Sequence, residues 1–369
     1  IGVSTIAGAL RRKVWFDQIQ FQWSPNFYIV IVGRAGAVKK STSLDLGKKL
    51  LEEIEGINFG PDMCTWQMLI QEIARCKETV EIKGTPFDMS CMTLNLSELG
   101  TLMDFEDQNL VSSLTDLWDG RLGVVIKATK TQGVDRIVNP WVNISAATTF
   151  AWMAANFPKG LIGSGIAGRI LWIKGKISDK DIAYLEDEIP AKAHVKKFSQ
   201  LADKLNIIAK YAGRYIITNE AKEWGKQWYK KQKDLLRSLP EDSIEGDALV
   251  RKPGHLHKLA MVISASRLNF PTIELRDLIE ADEKLKSLEI DTVSIFNYIG
   301  QVPITQAAMK IVEIVRQVKL INKGELYRKN FFRTTPVKEF EEAIKSAMQA
   351  GLIEEVSNGN FVTLKTKGI

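Results

Sequence analysis

The sequence predicts an α/β core, a parallel sheet flanked by helices, followed by a helical domain and a small C-terminal module of helices and a hairpin. Three observations predict it. Short apolar runs that end in glycine or polar residues, at positions 27–32, 91–96, 141–149 and 170–173, have the length and composition of strands buried on both faces. Amphipathic segments of helical period lie between them. Beyond residue 175 the apolar runs give way to successive Lys/Glu-rich amphipathic segments, and a turn signal, Asn358-Gly359, marks a hairpin near the C-terminus. The expected domains are therefore 1–175, 176–300 and 301–369.

The first run anchors the rest. FYIVIV (27–32) stops at Gly33, a loop carrying Gly36 follows, and Lys39-Lys40-Ser41-Thr42 opens a segment whose Leu44, Leu46, Leu50 and Leu51 can share a helical face. A loop that cradles phosphate needs this order, because backbone N–H groups and a helix N-terminus then converge on the anion. The spacing departs from G-x-x-x-x-G-K-[ST], since Lys39 occupies the second glycine position. Either the loop is one residue longer, or Lys39 and Lys40 compete for the phosphate. Lys40 is favoured, because the hydroxyl of Ser41 directly after it can hold Mg²⁺. The plainer alternative is a strand-turn-helix with a solvated lysine pair.

Composition bounds the remaining choices. A chain of 369 residues exceeds one ordinary core, which argues for two or three domains. No apolar run approaches the ~18 residues of a membrane span, so no membrane partner is expected, and no signal peptide is recognisable. Cys64, Cys76 and Cys91 lack paired spacing and neighbouring histidines, which predicts reduced, buried thiols in a cytoplasmic protein. His194, His255 and His257 are too few for a zinc site, and the last two read as helix-start residues. A net charge of +6 is compatible with a polyanionic partner but selects none.

In chain order, residues 3–10 predict an amphipathic helix, Arg11-Arg12-Lys13 follows, and Trp23-Ser24-Pro25-Asn26 turns into the first strand. Residues 62–74 predict a helix with Met63, Trp66, Leu69, Ile70 and Ile73 inward. The strand at 91–96 ends in Ser97-Glu98, and a carboxylate there, on a strand next to the loop strand, would orient an attacking water. Ser97 stands where an aspartate would serve the metal. The acidic residues of 104–119 read mainly as a solvated surface, with Asp119 structural before Gly120. Residues 122–138 predict a β-hairpin decorated by Lys127, Lys130 and Arg136, which suits either phosphate contact or protection of an exposed edge. If the strand at 141–149 neighbours the first, Thr148 or Thr149 lies near the γ-phosphate. A glycine-rich stretch then leads to Arg169, a cation suited to transition-state charge on a phosphoryl group, often across a subunit boundary.

PNFYIVIVGRAGAVKKST, LNLSELG, LWDG, NPWVNISAATTFAWM and GSGIAGRILWI, in this order over residues 1–175, resemble the ATPase half of phage and prophage primase–helicase proteins. The resemblance implies an α/β P-loop NTPase core that hydrolyses ATP with Mg²⁺ and unwinds or translocates along single-stranded or forked DNA, as a homo-oligomeric ring with a hexamer favoured, in the cytoplasm of a bacterial or archaeal host cell. By position it assigns Gly33, Gly36, Lys39, Lys40, Ser41 and Thr42 to nucleotide, Ser41 and Ser97 to Mg²⁺, Glu98 to water activation, Thr148 to γ-phosphate sensing and Arg169 to an arginine finger. Ser97 replaces the common Asp of this family. A primase half is not recognisable, so a primase would lie upstream of Ile1 or be a separate partner.

Five segments, 179–188, 195–212, 221–238, 257–268 and 273–287, predict the helical domain. Trp224 and Trp228, four apart, read as packing, and Arg251 as a local partner. Residues 305–317, 323–329 and 336–350 predict three helices, and 351–364 a hairpin, an order that resembles a winged-helix module. Arg328, Lys329, Arg333, Lys338 and Lys345 can meet phosphate, while Glu339, Glu341 and Glu342 on the third helix favour protein docking. Two competing functions are an ATP-dependent DNA-binding switch or loader without unwinding, and a DNA-binding or assembly protein whose P-loop has degenerated.

Overall fold

The computed structural model describes residues 1–19, 21–129, 133–162, 165–178, 184, 191–240, 243–300, 303–358 and 361–366. Backbone contacts divide the chain into two compact units, Ile1–Phe296 and Asn297–Ile369.

The first unit begins with α1 (Gly2–Leu10), a 3-10 turn at Arg11–Lys13, and an antiparallel pair, β1 (Val14–Gln18) and β2 (Phe21–Trp23). There follow β3 (Tyr28–Val32), α2 (Lys40–Glu52), α3 (Trp66–Arg75), β4 (Lys77–Ile82), β5 (Thr85–Leu96) and α4 (Gln108–Asp119). The ribbon β6 (Val124–Thr129) and β7 (Gly133–Val138) precedes β8 (Pro140–Thr148), α5 (Phe150–Asn156) and β9 (Ile170–Lys174).

Five of these strands form the central sheet, in the order β4-β5-β8-β3-β9. β5, β8, β3 and β9 run parallel, and β4 is an antiparallel edge. In register, Val32 lies opposite Thr148 and Lys174, Tyr28 opposite Ile144 and Ile170, and Leu96 opposite Ala146. β8 therefore separates β5 from β3, where sequence reasoning placed the carboxylate on an adjacent strand. The apolar runs are explained by cover on both faces. Asn143 and Ser145 bond to Ser4 of α1 on one face, while the Tyr28 hydroxyl donates to the Leu114 carbonyl of α4 on the other.

The helical region continues this unit. α6 (Ala191–Ile208), α7 (Asn219–Ser238), α8 (Ile244–Ser266) and α9 (Leu275–Gly300) supply Leu205, Trp228, Leu256 and Leu278 to the same core as Leu10, Phe27 and Leu51. The expected boundary at 175/176 thus does not separate compact units. α8 starts well before the expected residue 257 and carries Pro253 inside it, so His255 and His257 are mid-helix and buried or nearly so. The helix expected at 179–188 lies outside the described residues except for Tyr184. All three cysteines are unpaired, and Cys91 alone is buried.

The second unit contains α10 (Pro303–Val318), β10 (Leu320–Asn322), α11 (Lys323–Asn330), α12 (Val337–Gln349), β11 (Ile353–Asn358) and β12 (Phe361–Thr366). Its antiparallel sheet has the order β10-β12-β11, over a core that includes Ile311, Val315, Leu326, Phe340, Ile344 and Leu364. Among the described residues, no helix is long and apolar enough to cross a membrane.

Candidate functional site

The loop after β3 starts where the parallel strands end. Gly33 N–H donates to the Thr148 carbonyl at 3.1 Å, which fixes the loop's first residue to the end of β8. Gly36 has φ 72°, a conformation that costs glycine little, and the open space around it leaves the loop's outer side clear. Lys39 adopts φ 49° and ψ 37° and serves as N-cap of α2 without any side-chain capping bond, so its backbone turns the chain into the helix while its own side chain is exposed. Lys40 Nζ folds back and donates to the carbonyls of Gly33 at 2.8 Å and Arg34 at 3.3 Å. Of the two lysines, the structure directs Lys40 across the loop. Ser41 and Thr42 lie exposed in the first turn of α2. Gly47 in α2 faces α1: a Cβ there would lie 2.9 Å from Thr5 Oγ1.

At the same edge of the sheet, Glu98 follows β5 by two residues. Thr148, fully buried at the end of β8, donates its hydroxyl to Glu98 Oε1 at 3.1 Å. Glu98 thus reaches the neighbourhood of the loop through Thr148, across two strand spacings or about 10 Å from β3. Ser97 and Glu98 are both exposed. No group of three or more His, Cys, Asp or Glu side chains able to hold a metal exists among the described residues.

Arg169 is elsewhere. It ends a 3-10 turn, Ala167–Arg169, immediately before β9, and Ile170 pairs with Tyr28 at the start of β3. That is the opposite end of the sheet from the loop, about 20 Å away along the strands. Its guanidinium is buried and makes a bidentate bond to Asp119, at 2.8 and 2.9 Å from Nη2, with Nε at 3.0 Å and Nη1 donating to the Gly165 carbonyl at 2.6 Å. A finger must reach out to a phosphate, and this side chain is held inside its own chain by the residue that ends α4.

Arg169 belongs to a buried polar cluster. Lys258, 1% exposed, donates to Asn26 Oδ1 at 2.7 Å and to the Trp118 carbonyl at 3.2 Å, and its ammonium stands 3.5 Å from the Trp118 ring centroid. Burial drives its pKa well below the ordinary lysine value. Arg12 donates to the Pro140 and Gly120 carbonyls, both at 2.5 Å, and burial pulls its pKa down to about 10. His255 shares a hydrogen bond with the Gly168 carbonyl at 3.0 Å, and burial lowers its pKa to about 3. Sequence reasoning passed over Lys258, yet a signal existed: a lysine immediately before the apolar run LAMVI (259–263) is set against a buried helix face.

The hairpin forms as expected in β6 and β7, and its tip, including Lys130, lies outside the described residues. Lys127 does not reach outward. Its Nζ donates to Ser113 Oγ at 2.9 Å and sits 4.6 Å from the Trp66 ring centroid. Arg136 is exposed on the opposite face of the ribbon, beside Ile126, with Val124 and Val134 also exposed there. Trp224 and Trp228 stack on one another, and Trp228 Nε1 donates to Asp282.

No family model and no curated protein matches this chain.

Proposed function

We propose that the chain is an ATP hydrolase coupled to nucleic acid, a motor acting on single-stranded or forked DNA as a homo-oligomeric ring. The observation that carries this reading is one hydrogen-bonded path: Gly33 N–H to the Thr148 carbonyl, and the Thr148 hydroxyl to Glu98. It links a glycine loop, at the head of an uncapped helix, to a carboxylate at the same sheet edge. That is the pairing of phosphate cradle and water-orienting base needed for phosphoryl transfer to water.

Each residue has a role on this reading. Lys40 exchanges its two carbonyl partners for β- and γ-phosphate oxygens, and the backbone N–H groups of residues 36–42 complete the cradle. Ser41, with Ser97 within the same edge, would hold Mg²⁺, which when bound neutralises charge building on the phosphates. Glu98 accepts a proton from the attacking water, and Thr148 holds its carboxylate in place until then. Arg169 takes no part, because its ion pair with Asp119 is internal.

The test is phosphate release by wild type and Lys40→Ala, with and without single-stranded DNA. Wild-type hydrolysis is expected to rise with DNA, and the variant to lose about a hundredfold or more. Hydrolysis unchanged by Lys40→Ala would end the assignment. A second reading, an ATP-dependent switch or loader, is favoured by one observation: Lys127 is turned onto Ser113 and Trp66 instead of toward a strand. DNA-stimulated hydrolysis without strand displacement would select it.

A further inference from the structure

The C-terminal unit divides its charge sharply. From Arg328 to Lys338 the sequence RKNFFRTTPVK carries four cations and no carboxylate. These residues form the end of α11, the turn and the start of α12, and Arg328, Lys329, Arg333 and Lys338 are all exposed. Lys329 shares its charge with Glu325 at 2.6 Å, one turn back. Lys310 of α10 adds a fifth cation, donating to the Asn330 carbonyl at 3.3 Å with its ammonium 4.8 Å from the Phe331 ring centroid.

An aromatic ring stands in the middle of this positive surface. Phe332 is 68% exposed, an unfavourable position for a large apolar side chain. It is nevertheless held in place. Its backbone N–H donates to the Tyr327 carbonyl at 2.9 Å, and its ring meets that of Tyr327 edge-on at 6.2 Å. Tyr327 in turn donates its hydroxyl to the Thr335 carbonyl at 3.1 Å, closing the turn. The later part of α12 differs in sign: Glu339, Glu341 and Glu342 face one lysine, Lys345, and Glu341 is paired with Lys323 at 2.5 Å.

We propose that the turn between α11 and α12, through Arg328, Arg333, Lys338 and Lys310 around Phe332, binds single-stranded nucleic acid. Exposed cations track the phosphates, and the ring offers a face on which an unpaired base stacks, a combination that duplex DNA, with its bases already stacked, does not use. Contact runs through the turn and not along the carboxylate-bearing length of α12. The surface lies wholly within the C-terminal unit and is independent of the nucleotide loop.

The test uses the full chain without nucleotide, and reads fluorescence anisotropy of a labelled oligothymidylate over a salt series. Arg328→Glu/Arg333→Glu is expected to weaken binding by about tenfold or more at low salt and to flatten the salt dependence. Phe332→Ala is expected to weaken it by about fivefold or more while leaving a duplex of equal length unaffected. Lys345→Glu and Lys40→Ala are expected to bind as wild type does. Retained affinity in the double variant overturns the proposal, as does equal loss on duplex in Phe332→Ala, or an acidic peptide that competes as well as the unlabelled oligonucleotide. If Lys40→Ala keeps full hydrolysis while this binding persists, the motor reading falls and the turn stands.

Discussion

The two ends of the parallel sheet use the same residue types to opposite ends. Where the strands finish, Lys40 bonds only to loop carbonyls, Glu98 only to a threonine hydroxyl among the contacts described above, and both lie at the surface or near it. Where the strands begin, Arg169, Lys258 and Arg12 are buried, and they donate to Asp119, Asn26 and backbone carbonyls, with Arg12 Nε left unpartnered among the described residues. A cation whose partners are weak neutral acceptors can trade them for phosphate. Arg169, locked to the partly buried carboxylate of Asp119, cannot do so without leaving that charge unpaired.

Four changes would break or sharpen this contrast. Glu98→Gln, at the open end, is expected to cut ATP hydrolysis by about a hundredfold or more with unfolding midpoint unchanged, read by phosphate release and urea titration. Equal hydrolysis would show that the carboxylate does not act on water. Arg169→Ala, at the closed end, is expected to destabilise the fold by about 3 kcal/mol in urea denaturation, because Asp119 is left without its partner. A variant that folds with wild-type stability yet fails to hydrolyse ATP would restore the finger that the sequence suggested.

The third change is pH. Burial lowers the pKa of His255 to about 3 and also lowers that of His257. The unfolded chain gains a proton on His255 near pH 6.5 while the native state does not, so this contribution to stability is full above that value and falls as pH drops toward about 3, by up to about 1.4 kcal/mol per pH unit. His257 acts in the same direction. His255→Gln should flatten the pH profile of the urea midpoint, and an identical slope would contradict the buried neutral ring. Smallest is Lys127→Ala, which should cost about 1 kcal/mol of stability through its lost contacts with Trp66 and Ser113. Its DNA affinity should stay as in wild type, and a clear loss would return the hairpin to the DNA-contacting surface.

The sequence was most legible where burial is two-sided. FYIVIV and the strand after Arg169 read as apolar stretches, and the run ending in Thr148 is apolar but for Asn143, Ser145 and Thr148, because β3, β8 and β9 are covered on both faces. β4 was missed because KETVEI is an edge strand that keeps charges outward, and β1 and β2 because short, half-buried strands mixing Trp, Asp and Gln carry little periodicity. Pro253 hid the first part of α8, since proline normally ends such a pattern. Strand order was invisible as well: nothing in the residues of 91–96 states that β8 intervenes before β3. Arg169 shows the deepest limit. A glycine-rich approach to an arginine reads as mobility, and only the third dimension reveals Asp119 waiting fifty residues upstream.

Gly47 has a mechanical consequence. Because this position of α2 presents only hydrogen, the side chains of Ile1 and Thr5 pack directly against the α2 backbone, and the neighbouring Ser4 is tied to β8 through Asn143 and Ser145. α1 thus works as a shared brace: the helix that follows the loop and the strand that carries Thr148 lean on the same turn of α1, so neither can shift without disturbing the other's contacts.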